Sequence, residues 1–267
     1  MRELRPVLIV AGLLAALALF GPALAPNAPN AIDIPNRLAA PGGQYPLGTD
    51  AMGRCILSRL LHGASWSLGL AFLVSTIGLV TGTLIGLSAA MGGRRIDWVV
   101  MRVTDIFLAF PDLVAAVVIA GVLGAGTGSL IFALSATGWM RYARVTRGIG
   151  LGLAKRGHVV QARLAGLSPA AIARWHYLPA LAPSLTVVWT GMLARAILGI
   201  SALGFLGFGV QPPTPEWGTM LLDARVHMRS TPLQMIWPGG AVVLCVLAIN
   251  LTGDILRDAL TERTEPA

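Results

Sequence analysis

Charge is scarce in this chain. Only 12% of its 267 residues are Asp, Glu, Lys or Arg, against roughly a quarter in an ordinary soluble domain. A chain this poor in charge cannot cover a globule with polar surface, so a soluble fold is excluded. Cysteine is nearly absent too. Cys55 and Cys245 stand far apart, and Cys245 lies in an apolar run, so no disulfide framework is expected. No CxxC or HExxH spacing occurs, and His62, His158, His176 and His227 are scattered along the chain. No tight protein-bound metal site is expected. A GxxxxGK[ST] sequence is also missing, so the chain has no phosphate cradle of that kind. Aromatics make up only 6%, and no extended basic patch is interleaved with them. The net charge of +8 therefore does not point to nucleic acid. In a membrane protein such a charge reflects basic loops beside anionic lipid.

What the chain has in abundance is apolar sequence: 55% hydrophobic residues and a mean hydropathy of +0.73. A helix needs about 20 apolar residues to cross the hydrocarbon core. Six segments approach this: Pro6 to Ala25, Trp66 to Met91, Ile106 to Leu123 with Pro111 inside, Gly128 to Ala143, Ala182 to Leu203, and Met235 to Leu256. The expected fold is all-α and integral to the membrane, with six transmembrane helices. Gly69, Gly78, Gly82 and Gly86 repeat along the second segment, and small residues let helices approach closely in lipid. Trp66, Trp98, Trp139, Trp217 and Trp237 fall near segment ends, where indoles favour the interface. The methionines read as packing.

Charge orients the bundle. Arg141, at the end of the fourth segment, is followed before the fifth by Arg144, Arg147, Lys155, Arg156, Arg163 and Arg174, with no acidic residue among them. The positive-inside rule puts that stretch in the cytoplasm. Arg94, Arg95 and Arg102 are then inside by parity, as are Arg2 and Arg5. Both termini are expected in the cytoplasm, and the loops from Pro26 to Ser65 and from Val210 to Gln234 outside. The expected divisions are 1–63 (first span and external loop), 64–256 (a five-helix core with a cytoplasmic loop at 147–179) and 257–267 (a cytoplasmic tail). Arg2, Arg5 and Ala23-Leu24-Ala25 also resemble a secretory signal and its cleavage site. The apolar run is long for a signal core, and Pro22 and Pro26 flank the site, so the first span is expected to be retained.

The basic loop is the most informative stretch. Lys155 to Ala165 has helical composition, Gly166 permits a sharp break, and Ser168 can cap a new helix with Pro169 at its first position. The expected object is a short helix, a glycine turn and another short helix reaching about Trp175. Such a protrusion suits docking into a partner, although a solvated basic linker fits these residues as well.

Val159-Val160-Gln161-Ala162-Arg163-Leu164-Ala165-Gly166, followed by His176-Tyr177-Leu178-Pro179, resembles the ATPase-coupling loop of binding-protein-dependent ABC importer permeases. Further pieces resemble the dipeptide/oligopeptide/nickel branch: Leu47-Gly48-Thr49-Asp50 with Gly53-Arg54, Phe110-Pro111, Phe205-Leu206-Gly207-Phe208-Gly209, and Glu216-Trp217-Gly218. Each motif is weak alone, but their order spans nearly the whole chain. The resemblance implies a type I importer permease fold in a bacterial inner membrane. It implies a second homologous permease, two ATPase subunits that carry the ATP and Mg, and an external solute-binding protein. This chain would bind no cofactor and catalyse no reaction. The coupling positions implied are Val160, Gln161, Ala162, Gly166, Ser168, His176, Leu178 and Pro179. Contacts with the binding protein are implied around Gly48, Asp50, Arg54, Glu216 and Trp217.

The chain departs from the family pattern in the loop, where the usual glutamate falls on Val160, and at Ile200, where a second is often found. The nickel permeases are similar at both, and Ala31-Ile32-Asp33-Ile34-Pro35 is similar to that branch too. The expected cargo is therefore nickel or a metal chelate, with short peptides as the alternative. Within the segments two charges stand out, because such groups are costly in lipid and face a cavity or a partner. Arg195 is expected either to line the translocation path and meet an anionic group, or to pair structurally with Asp112 or with backbone carbonyls. Asp112 either lines the path or caps the helix that resumes after Pro111. A secondary transporter or channel would need intramembrane carboxylates, and only Asp112 qualifies. A membrane enzyme would need clustered His, Asp or Glu, and none is found in the sequence.

Overall fold

Hydrophobic length sets the architecture. A computed structural model of the chain describes residues 4–261; Arg2 and residues 262–267 of the expected tail lie outside the described residues. Helix α1 (Leu4–Phe20) continues as a 3-10 turn (Gly21–Leu24). An irregular segment then leads to α2 (Ile56–Met91), whose 36 residues reach about 54 Å. Next come α3 (Arg94–Leu108), α4 (Asp112–Leu123), α5 (Thr127–Leu153), α6 (Gly157–Leu164) and α7 (Pro169–Ile172). A π-turn (Ala173–Tyr177) joins α7 to α8 (Leu178–Phe205), followed by α9 (Trp217–Arg225) and α10 (Leu233–Thr261). No strand occurs among the described residues; one isolated bridge pairs Thr49 with Cys55.

The sequence predicts six spans. By length and composition the structure supports four, Arg5–Leu24, Ile56–Met91, Pro169–Phe205 and Leu233–Leu260, or five if α3 and α4 count as one. The third segment is broken at Pro111, as the sequence predicts, but the break is far sharper than a kink. Helices α3 and α4 meet at 86°, because Pro111 takes an extended backbone (φ −60°, ψ 122°) between them and has no N–H to carry the helix through. The 12 residues of α4 reach only about 18 Å, short of a full crossing. Helix α5 is long enough, but Arg141, Arg144 and Arg147 lie on it, and it is not among the helices apolar enough to count.

Small residues close the central seam. A Cβ built on Gly86 would lie 2.5 Å from the Ala143 carbonyl oxygen, and one on Gly78 would lie 3.3 Å from the Tyr142 ring. Helices α2 and α5 therefore pack backbone to backbone, as the glycine spacing predicts; Gly69 alone of the four faces open space. One apolar core gathers Leu68, Leu130, Ile197 and Ile200 in mid-bundle, and a second gathers Leu87, Tyr142, Val159, Ala162, Tyr177 and Leu181 at the basic end. Outward-facing Leu8, Leu13, Val122, Leu244 and Leu251 are exposed, the surface expected of helices that meet lipid tails.

Candidate translocation and coupling site

The basic end carries the protrusion that the sequence predicts. Helix α6 ends in a turn where Gly166 has φ +79°. Its N–H donates to Arg163 O at 3.1 Å, and Leu167 N–H donates to Ala162 O at 3.1 Å. This pairing satisfies carbonyls that a helix end leaves open, and it needs a residue at ease with positive φ. Ser168 Oγ accepts from Ala171 N–H at 3.2 Å, with Pro169 in the first turn. The cap falls where expected, but the second short helix is not separate. Leu178 N–H donates to Ala173 O across a π-turn, and α7 runs on into α8. This wide turn absorbs Pro179, which has no N–H to give to the preceding turn.

The protrusion has a buried side and an open side. Val159 and Ala162 insert into the second core, while Val160 (41%), Leu164 (82%) and Trp175 (66%) are exposed. Gln161, Arg163, Ser168, Leu178 and Pro179 are exposed as well. His158 and His176, scattered in sequence, stack across the turn with ring centroids 5.7 Å apart. Among the described residues, no group of three or more His, Cys, Asp or Glu side chains is placed to hold a metal.

Farther along α8 a cavity of about 830 Å³ opens between α2, the α3–α4 bend, α5 and α8. Arg195 and Asp112 both line it. They do not pair with each other: Asp112 accepts from Arg141 Nη2 at 3.4 Å. Nor does Asp112 cap α4, since it sits inside the helix and makes no capping hydrogen bond. Two further pairs complete a ladder that sequence reasoning missed. Arg144 Nη2 donates to Asp105 Oδ1 at 2.5 Å, and Arg147 donates to both carboxylate oxygens of Asp97. The signal was available: three arginines spaced by three share one helix face, opposite Asp97, Asp105 and Asp112. These arginines belong to α5 and not to a free basic loop. Arg195 makes no ion pair or hydrogen bond through its side chain among the described residues.

The remaining candidates gather at the opposite end. Gly48 (φ +81°) and Gly53 (φ +75°) shape a tight turn around Asp50. Asp50 Oδ1 accepts from the N–H groups of Met52 and Arg54, and Asp50 Oδ2 accepts from Arg54 Nε at 2.6 Å. A smaller cavity of about 320 Å³ is lined by Asp50, Arg54, Arg59, Asp223, Arg225 and Gln234. Glu216 is fully buried at the start of α9 and accepts from Ser67 Oγ, Gly218 N–H and Thr219 N–H. Burial pushes its carboxyl above the ordinary glutamate value, while those three donors pull it down. Trp217 is buried over Gly63 and donates from Nε1 to Leu60 O at 3.0 Å. Glu216 and Trp217 thus hold α9 to α2, so a partner would meet the loop they shape and not their side chains.

Long apolar helices around a partly polar cavity, with a helix–turn–helix at one end, define a multi-pass membrane protein. The fold is that of a chain in a structure of the MetNI methionine ABC transporter in inward-facing conformation. That match has a TM-score of 0.59 and 21% identity, covering 74% of this chain and 95% of that one. Residues 82–266 match the binding-protein-dependent transport system inner membrane component family, and the chain belongs to it. It is 41% identical to the nickel transport system permease protein NikC of Escherichia coli K12, over 97% of this chain and 93% of that protein. It is 40% identical to the di/tripeptide transport system permease protein DppC of Pseudomonas aeruginosa, over 94% and 84%. It is 39% identical to the glutathione transport system permease protein GsiD of Escherichia coli O6:K15:H31, over 93% and 82%. The chain is therefore a permease subunit of a binding-protein-dependent ABC importer, and it works with an ATPase and a solute-binding protein.

Proposed function

We propose that this chain forms half of the translocation path of an ATP-driven importer of nickel or a nickel chelate, beside a second homologous permease. Two ATPase subunits, carrying the ATP and Mg, dock against Val160, Gln161, Leu164 and the α6–α7 turn. The observation that carries this reading is mechanical continuity. The docking turn is fused through the π-turn to α8, and Arg195 lies on the same helix, about 26 Å beyond Leu178. Ala162 anchors the turn from below, and His176, Leu178 and Pro179 form the fused joint. Closure of the ATPases on ATP moves the turn, α8 carries that motion to the cavity, and the two permeases rock about the path. ATP and cargo then each bias the balance between two global states.

The basic end, with both termini, faces the cytoplasm of a bacterial cell. The opposite end, around Gly48 to Arg54 and Pro212 to Gly218, receives cargo from the binding protein. The similarity to NikC favours nickel. The nearly equal similarity to DppC favours a second reading, short peptides. The test is a reconstituted importer holding both permeases, the ATPases and the binding protein. Nickel chelates are expected to stimulate its ATP hydrolysis. Stimulation by dipeptides and never by nickel complexes selects the second reading. Undiminished uptake with residues 157–168 exchanged for a flexible spacer removes the coupling role altogether.

A further inference from the structure

The ion-pair ladder settles three arginines of α5 and leaves Arg195 apart. The large cavity holds two arginines, Arg141 and Arg195, and one carboxylate, Asp112. Asp112 is engaged by Arg141, so the cavity carries one uncompensated positive charge at Arg195. Much of the wall is apolar, including Val74, Leu108, Phe110, Leu113 and Leu198. Arg195 lines the cavity and is exposed, so its guanidinium is open to a ligand that enters.

We infer that Arg195 receives a carboxylate of the cargo. A guanidinium forks onto a carboxylate through two parallel N–H···O bonds, which gives orientation as well as attraction. A bare hydrated dication is repelled by the same charge. The transported species is then a carboxylate-bearing molecule, either a chelator wrapped around a metal or the C-terminus of a peptide. This rests on the cavity belonging to the translocation path proposed above.

The test uses the complete importer in proteoliposomes with four probes: nickel citrate, nickel chloride, dialanine and dialanine amide. Wild type is expected to move one carboxylate probe well ahead of its uncarboxylated control. Nickel citrate ahead of nickel chloride identifies the chelator as the source. Dialanine ahead of its amide identifies the peptide. Arg195→Ala is expected to cut that preference about tenfold or more, and Arg195→Lys, which keeps charge and loses the fork, is expected to fall between. An Arg195→Ala importer with the wild-type preference overturns the inference alone, whether or not its melting temperature in detergent falls. Preference for nickel chloride in the wild type overturns it as well. Wild-type transport of none of the four overturns both this inference and the proposed function.

Discussion

Gly166 isolates the contribution of one backbone angle. Its φ of +79° is a conformation that costs an L-residue about 1–2 kcal/mol, and a Cβ built there meets nothing within 4 Å. Gly166→Ala therefore carries a conformational penalty with no steric one. About 1.4 kcal/mol is tenfold in population, so the native turn is expected to open roughly five- to thirtyfold more often. Gly166→Asn is expected to cost less, because Asn tolerates left-handed backbone. Gly166→Pro costs most. It fixes φ near −65° and removes the N–H that donates to Arg163 O at 3.1 Å. It also disfavours the backbone of Ala165, which lies near ψ 0° (φ −73°, ψ 1°) and not in the extended region that a residue before proline prefers. The assay is paired: amide hydrogen exchange over residues 157–172, and cargo uptake per ATP hydrolysed in proteoliposomes. Exchange should quicken and coupling should fall in the order Gly, Asn, Ala, Pro, while Val159 and Ala162 keep the rest of the bundle folded. Wild-type coupling in the Pro variant, or Ala faring worse than Pro, refutes the reasoning.

Two further outcomes concern charge. Asp97 and Arg147 are about two-thirds or more shielded from solvent, so a double-mutant cycle on thermal unfolding should give a coupling of about 0.5–1 kcal/mol. Exchanging the two charges should restore much of it, and an exchanged protein no more stable than either single variant refutes a direct pair. Glu216 is shifted upward by burial, so the folded protein holds its proton more tightly than the unfolded chain does. Stability from this group is full below the ordinary value of 4.5 and is lost as pH rises through the higher folded value. Glu216→Gln should flatten that part of the melting-temperature profile in detergent, and an unchanged slope contradicts the assignment.

Much of the site was legible because it is written in local backbone chemistry. Gly166, Ser168 and Pro169 each prescribe a backbone conformation, and the structure realises all three. Gly78, Gly82 and Gly86 announce a close helix contact, although not its partner; Gly69, at similar spacing, faces nothing. The ladder is written in the spacing of Arg141, Arg144 and Arg147, but it shows only once those residues are placed on α5 and not in the basic loop. Glu216 and Trp217 were legible as a motif and not as a buried strut, because burial depends on Ser67 and Leu60, roughly 150 residues earlier in the chain.

The sequence by itself determined that the chain lives in lipid, is helical and carries a capped helical turn at its basic end. Hydrophobic length, charge placement and cap residues act over a few turns of helix, and nothing distant can reverse them. Only the tertiary structure decided that α3 and α4 meet nearly at a right angle, that the capped turn is fused to α8, and that Asp112 answers Arg141 and leaves Arg195 facing an open cavity. Those outcomes depend on which helices lie side by side, and ion pairs form by distance in space, which spacing along the chain does not fix.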